Sequence, residues 1–240
     1  MKPDLSSIPE EFNPSLTNVA FLTRRRLLKS IAEHSSQLDG SLMDFGCGSK
    51  PYRSLFDVSE YIGVDFHGQG HSHEHESIDV FYDGITLPFN DNRFDSIFSS
   101  EVFEHVFNLE HILKELNRVL KPGGILFVTC PFAICEHEVP NDFARYTSYG
   151  IKDLLRRNGF EIKTFEKAGS AIETISQIFI SYFYFHVLRR FLGKIPGIRT
   201  GAKLITIPIL NILSIFFNVI MPKGKDLYMN NVILAKKRVA

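Results

Sequence analysis

The stretch Met43-Asp44-Phe45-Gly46-Cys47-Gly48-Ser49-Lys50-Pro51 decides the fold. It opens apolar, turns on two glycines and reaches a proline that suits the first turn of a helix, where a missing N–H costs nothing. Gly46 and Gly48 remove Cβ atoms where a ligand has to approach the backbone closely. Free N–H groups at the helix start would face a negatively charged ligand group. The pattern predicts a strand, a glycine loop and a helix over Pro51 to about Phe56, the cofactor-binding element of a nucleotide-cofactor fold.

Working outward, Ser41 to Phe45 reads as the first strand and Glu60 to Phe66, which carries Asp65 near its end, as the second. Ile78 to Tyr82 is the third, followed by Asp83-Gly84 and a Leu87-Pro88-Phe89 turn; Phe94 to Ser99 is the fourth. Glu101 to Leu120 predicts a long helix, with Val102, Val106, Leu109, Leu113, Leu116 and Leu120 on one stripe. Lys121-Pro122-Gly123-Gly124 stops it. Ile125 to Cys130 is the fifth strand, Ser148 to Asn158 a helix, Phe160 to Phe165 the sixth strand and Val232 to Ala235 the seventh. Residues 15–37 predict a preceding helix, with Leu16, Ala20, Leu27 and Ile31 on its apolar face and Arg24, Arg25 and Arg26 on a solvated one. Alternating strands and helices argue a doubly wound, Rossmann-like α/β fold. The expected sheet is seven-stranded and mostly parallel, with an antiparallel last strand. In such sheets ligands sit beyond the carboxyl ends of the strands, which gathers Gly46, Gly48, Asp65, Asp83 and Ser100 into one crevice.

Asp65 lies about twenty residues past the glycine loop, where a carboxylate can accept from both hydroxyls of a ribose. Asp83 is placed to receive an adenine amino group. A nicotinamide cofactor would want a third glycine, which lets the helix approach a pyrophosphate; counted from Gly46, that position is Pro51. A cofactor without a pyrophosphate does not need the space.

Asp44-Phe45-Gly46-Cys47-Gly48 resembles the first signature of class I S-adenosylmethionine-dependent methyltransferases, of the bacterial small-molecule and glycan type. Gly63-Val64-Asp65 resembles their second-strand acid, and Asp83 with Leu87-Pro88-Phe89 their adenine-side loop. Phe94-Asp95-Ser96-Ile97 with Glu104-His105 resembles their fourth strand and the segment after it, and Leu120 to Gly124 the turn before their fifth strand. The resemblance covers residues 40 to 167. It implies S-adenosylmethionine as cofactor, held by the Asp44, Gly46, Cys47 and Gly48 loop at the methionine part, by Asp65 at the ribose, by Asp83 and Gly84 on the adenine side and by Ser100 near the sulfonium. The rival readings are a nicotinamide-dependent Rossmann oxidoreductase and a non-catalytic cofactor-binding scaffold.

A hydroxyl acceptor calls for a base. Glu136-His137-Glu138-Val139-Pro140-Asn141-Asp142-Phe143-Ala144-Arg145-Tyr146-Thr147 follows the fifth strand and is similar to a loop of bacterial methyltransferases acting on small molecules and glycans. His137 is the first candidate base and His105 the second. Glu104, Asp142, Arg145 and Tyr146 are candidate acceptor contacts; the plainer alternatives are an Asp142–Arg145 structural ion pair, and Glu101 and Glu104 as helix-start acids. No metal is expected. Cys47, Cys130 and Cys135 have no metal-ligand spacing, and His67, His71, His73 and His75 read as a solvated loop.

The net charge of zero hides an asymmetry: residues 1–169 carry 17 Lys/Arg against 25 Asp/Glu, net −8, and residues 170–240 carry 10 against 2, net +8. A basic segment with long apolar runs suggests an anionic membrane surface before nucleic acid, and no nucleic-acid partner is expected. Leu204 to Pro222 contains no charged residue, and its polar Asn211, Ser214 and Asn218 share one helical face. Ala171 to Leu192 is rich in Ile and aromatics. Three readings stay open for this insertion: a hydrophobic lid or homodimer interface, an interfacial membrane hairpin, or a two-span hairpin. The expected organisation is an N-terminal helical segment (1–38), a cofactor-binding core (39–169), the insertion (170–228) and a final core strand (229–240). Polar Met1 to Phe12 does not resemble a signal peptide, and three cysteines leave one over from any disulfide, so the expected location is cytoplasmic, peripheral on the inner membrane. The expected acceptor is a small molecule, a glycan or a lipid-linked compound.

Overall fold

A computed structural model describes residues 5–67, 77–192 and 196–239. Among these, seven strands form one sheet: β1 Ser41–Phe45, β2 Glu60–Phe66, β3 Val80–Tyr82, β4 Phe94–Ser100, β5 Leu120–Pro131, β6 Phe160–Ala168 and β7 Asn230–Lys237. Their order is β3-β2-β1-β4-β5-β7-β6. β1 pairs in parallel with both β2 and β4, and β7 runs antiparallel between β5 and β6. The strand order reverses between β1 and β4, so their carboxyl ends border the crevice that such sheets offer a ligand.

Both faces of the sheet are covered, which is why its central strands β1 and β5 bury side chains on both sides. Met43, Phe45, Leu126, Val128 and Ile233 point to one face, against Ile112, Leu113 and Leu116 of α2 (Leu109–Val119) and Ile151 and Leu155 of α3 (Ser148–Arg157). Leu42, Phe127, Val232 and Leu234 point to the other, against Leu27, Leu28 and Ile31 of α1 (Phe21–His34). The period-two alternation thus feeds two separate cores.

Three local expectations are corrected. The helix predicted from Pro51 is a single 3-10 turn, Arg53–Leu55. The chain from Gly46 to Ser59 instead packs Tyr52, Leu55 and Phe56 onto the sheet, and no helical N-terminus stands ready for an anion. The helix predicted from Glu101 starts only at Leu109; Glu101 has φ +57° and Phe103–His105 is a 3-10 turn. Val102 and Val106 still pack on the core from this turn, so apolar spacing alone did not distinguish it from a helix. Lys121 to Gly124 lies within β5 rather than in a turn before it.

Beyond β6 the chain leaves the core as α4 (Ala171–Tyr182), a π-helical turn (Phe183–Leu188), α5 (Arg189–Leu192) and the long α6 (Pro196–Ile220). Ser170 and Glu173 form a capping box at the start of α4. The Ala171 N–H donates to Gly224 O (3.1 Å), which closes the excursion where it began. Of the Arg triplet of α1, Arg25 is exposed as expected, whereas Arg24 and Arg26 make defined contacts. Arg26 donates through Nε and Nη2 to Glu173 Oε1 (2.9 and 2.6 Å), tying α1 to α4, and the Arg24 guanidinium lies 4.7 Å from the Phe12 ring centroid.

Candidate active site

At the end of β1 the chain turns against β2: the N–H groups of Gly46 and Cys47 both donate to Val64 O (2.8 and 3.2 Å). Gly46 has φ +73°, and a Cβ there would stand 2.3 Å from Val102 Cγ2, so only glycine passes between the loop and the segment after β4. Gly48 donates its N–H to Asp65 Oδ2 (2.8 Å), and the Phe66 N–H donates to Asp65 Oδ1 (2.7 Å). The second-strand acid is therefore fixed against the glycine loop by backbone donors. Asp44 is buried and accepts a hydrogen bond from Tyr61 Oη. Burial pushes its carboxyl up to about 7, and the Tyr61 bond opposes that only in part. Cys47 turns its side chain into the core, where a Cβ on Gly63 would meet its Sγ at 2.7 Å, so this residue offers a ligand only its backbone.

On the β3 side, Asp83 Oδ1 accepts from the N–H groups of Ile85 (2.8 Å) and Thr86 (2.7 Å), which hold its pKa below the usual carboxylate range. It shapes the turn. Gly84, φ +82°, lets the Phe66 ring lie over the turn; a Cβ would stand 2.7 Å from Phe66 Cε2. Phe66 is 45% exposed beside Asp65, an apolar ring at the edge of the crevice that the sequence reading did not single out.

Across the switch point, Ser100 Oγ shares a hydrogen bond with Thr129 Oγ1 (2.9 Å), and Thr129 Oγ1 also donates to Glu101 Oε1 (2.9 Å). Asn230 Nδ2 donates to Glu101 Oε2 (2.6 Å). Burial raises the Glu101 carboxyl to about 7, against the pull of the Thr129 bond and the charge of Arg24. Glu101 is thus no helix-start acid but the centre of a network joining β4, β5 and β7. The left-handed backbone at position 101 carries no sequence signal that could have announced this.

The 137–146 segment docks on the turn after β4. Phe143 and Ala144 donate their N–H groups to Glu104 O (2.9 and 3.2 Å), and Asn231 Nδ2 donates to Tyr146 O (2.8 Å). Arg145 Nη2 donates to Asp142 Oδ2 (2.6 Å), so these two residues do form a structural pair. Asp142 Oδ2 also accepts the His137 N–H (2.9 Å). Tyr146 packs beside the core, where burial raises its hydroxyl to about 12. The two candidate bases come together, their ring centroids 4.8 Å apart. Burial lowers the His137 pKa and outweighs the charge of Asp142. Glu104 is fully buried, and neither of its carboxylate oxygens has a hydrogen-bond partner. Burial, together with the charge of Glu101, drives its pKa well up.

Residues 43–128 match the family described as "Methyltransferase domain". Demethylmenaquinone methyltransferase of Staphylococcus saprophyticus is 31% identical over 43% of this chain and 48% of its own length. The mitochondrial ubiquinone biosynthesis O-methyltransferase of Rattus norvegicus is 34% identical over 44% of this chain and 36% of its own. The match thus spans about half or less of these curated relatives. Among solved structures, the [4+2]-cyclase SpnF superimposes with TM-score 0.54 at 22% identity, over 90% of this chain and 82% of that one. Phosphoethanolamine N-methyltransferase 2 of Haemonchus contortus, in complex with S-adenosyl-L-methionine, gives 0.52 at 16%, over 90% and 53%. The last two likenesses show the fold. The family match and these likenesses agree in kind: residues 43–128 are similar to a methyltransferase domain, on a fold shared with S-adenosylmethionine-dependent methyltransferases. S-adenosylmethionine is the cofactor of that class. The crevice suits it chemically, with the Asp44 and Asp65 carboxylates on the loop side and an exposed aromatic ring beside Asp65.

Proposed function

We propose that the chain is an active methyltransferase that methylates an oxygen of a small, glycan or lipid-linked acceptor, working as a peripheral protein at the cytoplasmic face of a membrane. S-adenosylmethionine supplies a methyl group on a sulfonium, open to in-line displacement. Asp65 accepts from the ribose hydroxyls, the adenine side lies along Phe66, Asp83 and Gly84, and Asp44 faces the amino end beside the glycine loop. The Ser100–Thr129–Glu101–Asn230 network holds the carboxyl end of β4 rigid, which aligns donor and acceptor. The acceptor hydroxyl meets the buried cluster of Glu104, His105 and His137, whose imidazole Nε2 atoms are the proton-accepting groups of the crevice.

The observation that carries the membrane reading is α6, which buries Ile207 together with two polar side chains and turns much of its apolar surface outward. Asn211 and Ser214 are buried, and Asn211 Nδ2 donates to Leu16 O (2.7 Å) and Asn18 O (3.2 Å). Ile205, Ile212, Phe216 and Val219 face outward, 52–74% exposed. Ile175, Phe179 and Tyr182 of α4 are exposed as well. Exposed Arg189, Arg190, Lys223 and Lys225 flank these apolar surfaces. An apolar face rimmed by cations fits an anionic lipid surface. Gly197–Ile220 is long and apolar enough to cross a bilayer. Two contacts support an interfacial placement over a crossing: the Asn211 bonds at mid-helix, and the Ala171–Gly224 closure that returns the chain to the core.

The test combines release of S-adenosylhomocysteine over a panel of hydroxyl acceptors with co-sedimentation on phosphatidylglycerol vesicles. We expect turnover with at least one acceptor and binding to anionic vesicles. His137→Ala should slow turnover about 10²–10⁴-fold at unchanged cofactor affinity. A stable dimer that ignores vesicles would assign the apolar face to a second copy instead. Cofactor binding without turnover on any acceptor would favour the scaffold reading.

A further inference from the structure

We infer that Glu104, His105 and His137 form a binding site for a divalent transition-metal ion of the zinc type, with a coordination position left open toward the acceptor. The inference rests on the proposed reading only for what fills that open position.

Both imidazoles are anchored through Nδ1 and turn Nε2 toward Glu104. His105 Nδ1 stands 2.7 Å from Asn141 O, and His137 Nδ1 stands 3.2 Å from Cys135 O. A carbonyl oxygen only accepts, so His105 Nδ1 carries the proton and its Nε2 keeps its lone pair; His137 Nδ1 lies between the Cys135 carbonyl and Arg145 Nη2 (3.4 Å), and the ring turns its Nε2 toward Glu104. The two Nε2 atoms lie 3.7 and 3.8 Å from the same oxygen, Glu104 Oε1. All three donor atoms lie within 4.8 Å of one another. Two donors bound at about 2.1 Å around a tetrahedral ion stand roughly 3.4 Å apart. The Glu104 sides of the triangle are therefore near metal-site length, and a small rotation of the imidazoles closes the third.

A second observation points the same way. The Glu104 side chain is fully buried, and both its oxygens lack a hydrogen-bond partner. A buried carboxylate in this position is costly unless it meets a cation. The outer contacts are those of a metal site. Asp142 Oδ2 lies 3.4 Å from His137 Nδ1, and the Asn141 carbonyl backs His105, in the way that carboxylates and carbonyls orient ligating imidazoles. Glu138 Oε2, 3.7 Å from His105 Nε2 and largely exposed, is placed to serve as an exchangeable fourth donor. Two imidazoles and one carboxylate favour Zn²⁺ or Co²⁺ over Mg²⁺, which prefers oxygen ligands. With three protein donors, the open position suits an acceptor oxygen. In the loaded protein the ion takes the place of a free His137 Nε2 in acidifying that oxygen.

The full chain, stripped with chelator and free of S-adenosylmethionine, is titrated with Zn²⁺ by calorimetry and with Co²⁺ by visible absorption. One tight ion per chain is expected, with a Co²⁺ spectrum of four or five coordination. Glu104→Gln and His137→Asn should each weaken Zn²⁺ binding more than about 10²-fold, and Asp142→Asn about 10–100-fold. Circular dichroism and thermal melting of each variant confirm folding, and X-ray absorption on the wild type counts the imidazoles directly. A variant with His71, His73 and His75 replaced by Ala should keep the tight site. The inference is overturned if the wild type binds no tight ion, if the ion is lost with that loop and kept in Glu104→Gln, or if absorption finds no imidazole. Cofactor affinity measured separately keeps this outcome distinct from failure of the methyltransferase reading.

Discussion

Two helices of this protein, α2 and α6, carry polar and apolar stripes and are laid down in opposite senses. α2 buries Ile112, Leu113 and Leu116 against the sheet and turns Glu110 and Lys114 to water. α6 buries Asn211, which bonds to the N-terminal segment, together with Ser214 and Ile207, and turns Ile205, Ile212 and Phe216 outward. The first arrangement is what the hydrophobic effect produces in water. The second is stable only where the outer phase is apolar, or where the buried amides are hydrogen-bonded well enough to hold the helix regardless. The difference teaches that a stripe gives an axis, and that the partner on each side gives the direction.

The largest expected effect breaks the comparison from outside. Ile205→Gln, Ile212→Gln and Phe216→Gln together should weaken vesicle binding by about 4 kcal/mol or more, roughly 10³-fold, since each side chain is worth about 1.5–3 kcal/mol when buried. Folding and cofactor binding should not change. Undiminished sedimentation would place the lipid contact elsewhere. Next comes Leu116→Ala in α2, a cavity at a fully buried position, expected to cost about 2–5 kcal/mol in urea unfolding. Asn211→Leu then sharpens the comparison from inside. It leaves the carbonyls of Leu16 and Asn18 without their donor and should cost about 1–3 kcal/mol, with faster amide exchange along α1 and α6. A neutral result would show that α6 is held by apolar contacts alone.

The smallest effect concerns Asp44. Its carboxyl is raised from 3.8 to about 7. Because the folded pKa is raised, the fold favours the protonated form, so this stabilisation is complete below about pH 4 and is lost as pH rises through 7. In the proposed site the amino end of the cofactor would favour the ionised form. Cofactor affinity should therefore be greatest above pH 7 and fall about tenfold per unit below it, with a proton released on binding. Calorimetry in buffers of different ionisation enthalpy reads both, and Asp44→Asn should flatten the profile.

The central strands were legible because their buried positions are apolar runs, as in β1 between Gly40 and Gly46 and in β5 from Ile125 to Cys130. The glycine loop, Asp65 and the turn at Asp83 were legible for the same reason: they sit where strands must end. The 101–108 segment was not, because Val102 and Val106 keep helical spacing while Glu101 bends the backbone to reach Thr129 and Asn230, partners far along the chain. His105 and His137 were each visible as ionisable groups at strand ends. Their convergence on Glu104 was not, since it depends on the Asn141 and Cys135 carbonyls that orient the rings. The polar stripe of α6 was visible too, but not that it points inward, because Asn211 bonds the backbone carbonyls of Leu16 and Asn18, and Asn218 bonds Ser170, all far along the chain.

The central claim is that the Gly46–Gly48 loop and Asp65 hold S-adenosylmethionine. Calorimetric titration of the full chain with S-adenosylmethionine and with NAD, in the wild type and Asp65→Ala, tests it most directly. One S-adenosylmethionine per chain is expected, with no comparable NAD binding and a loss of about 1.5–3 kcal/mol in Asp65→Ala, from hydrogen bonds to a charged group. Tighter binding of NAD, or an Asp65→Ala variant that binds S-adenosylmethionine as well as the wild type, would contradict it.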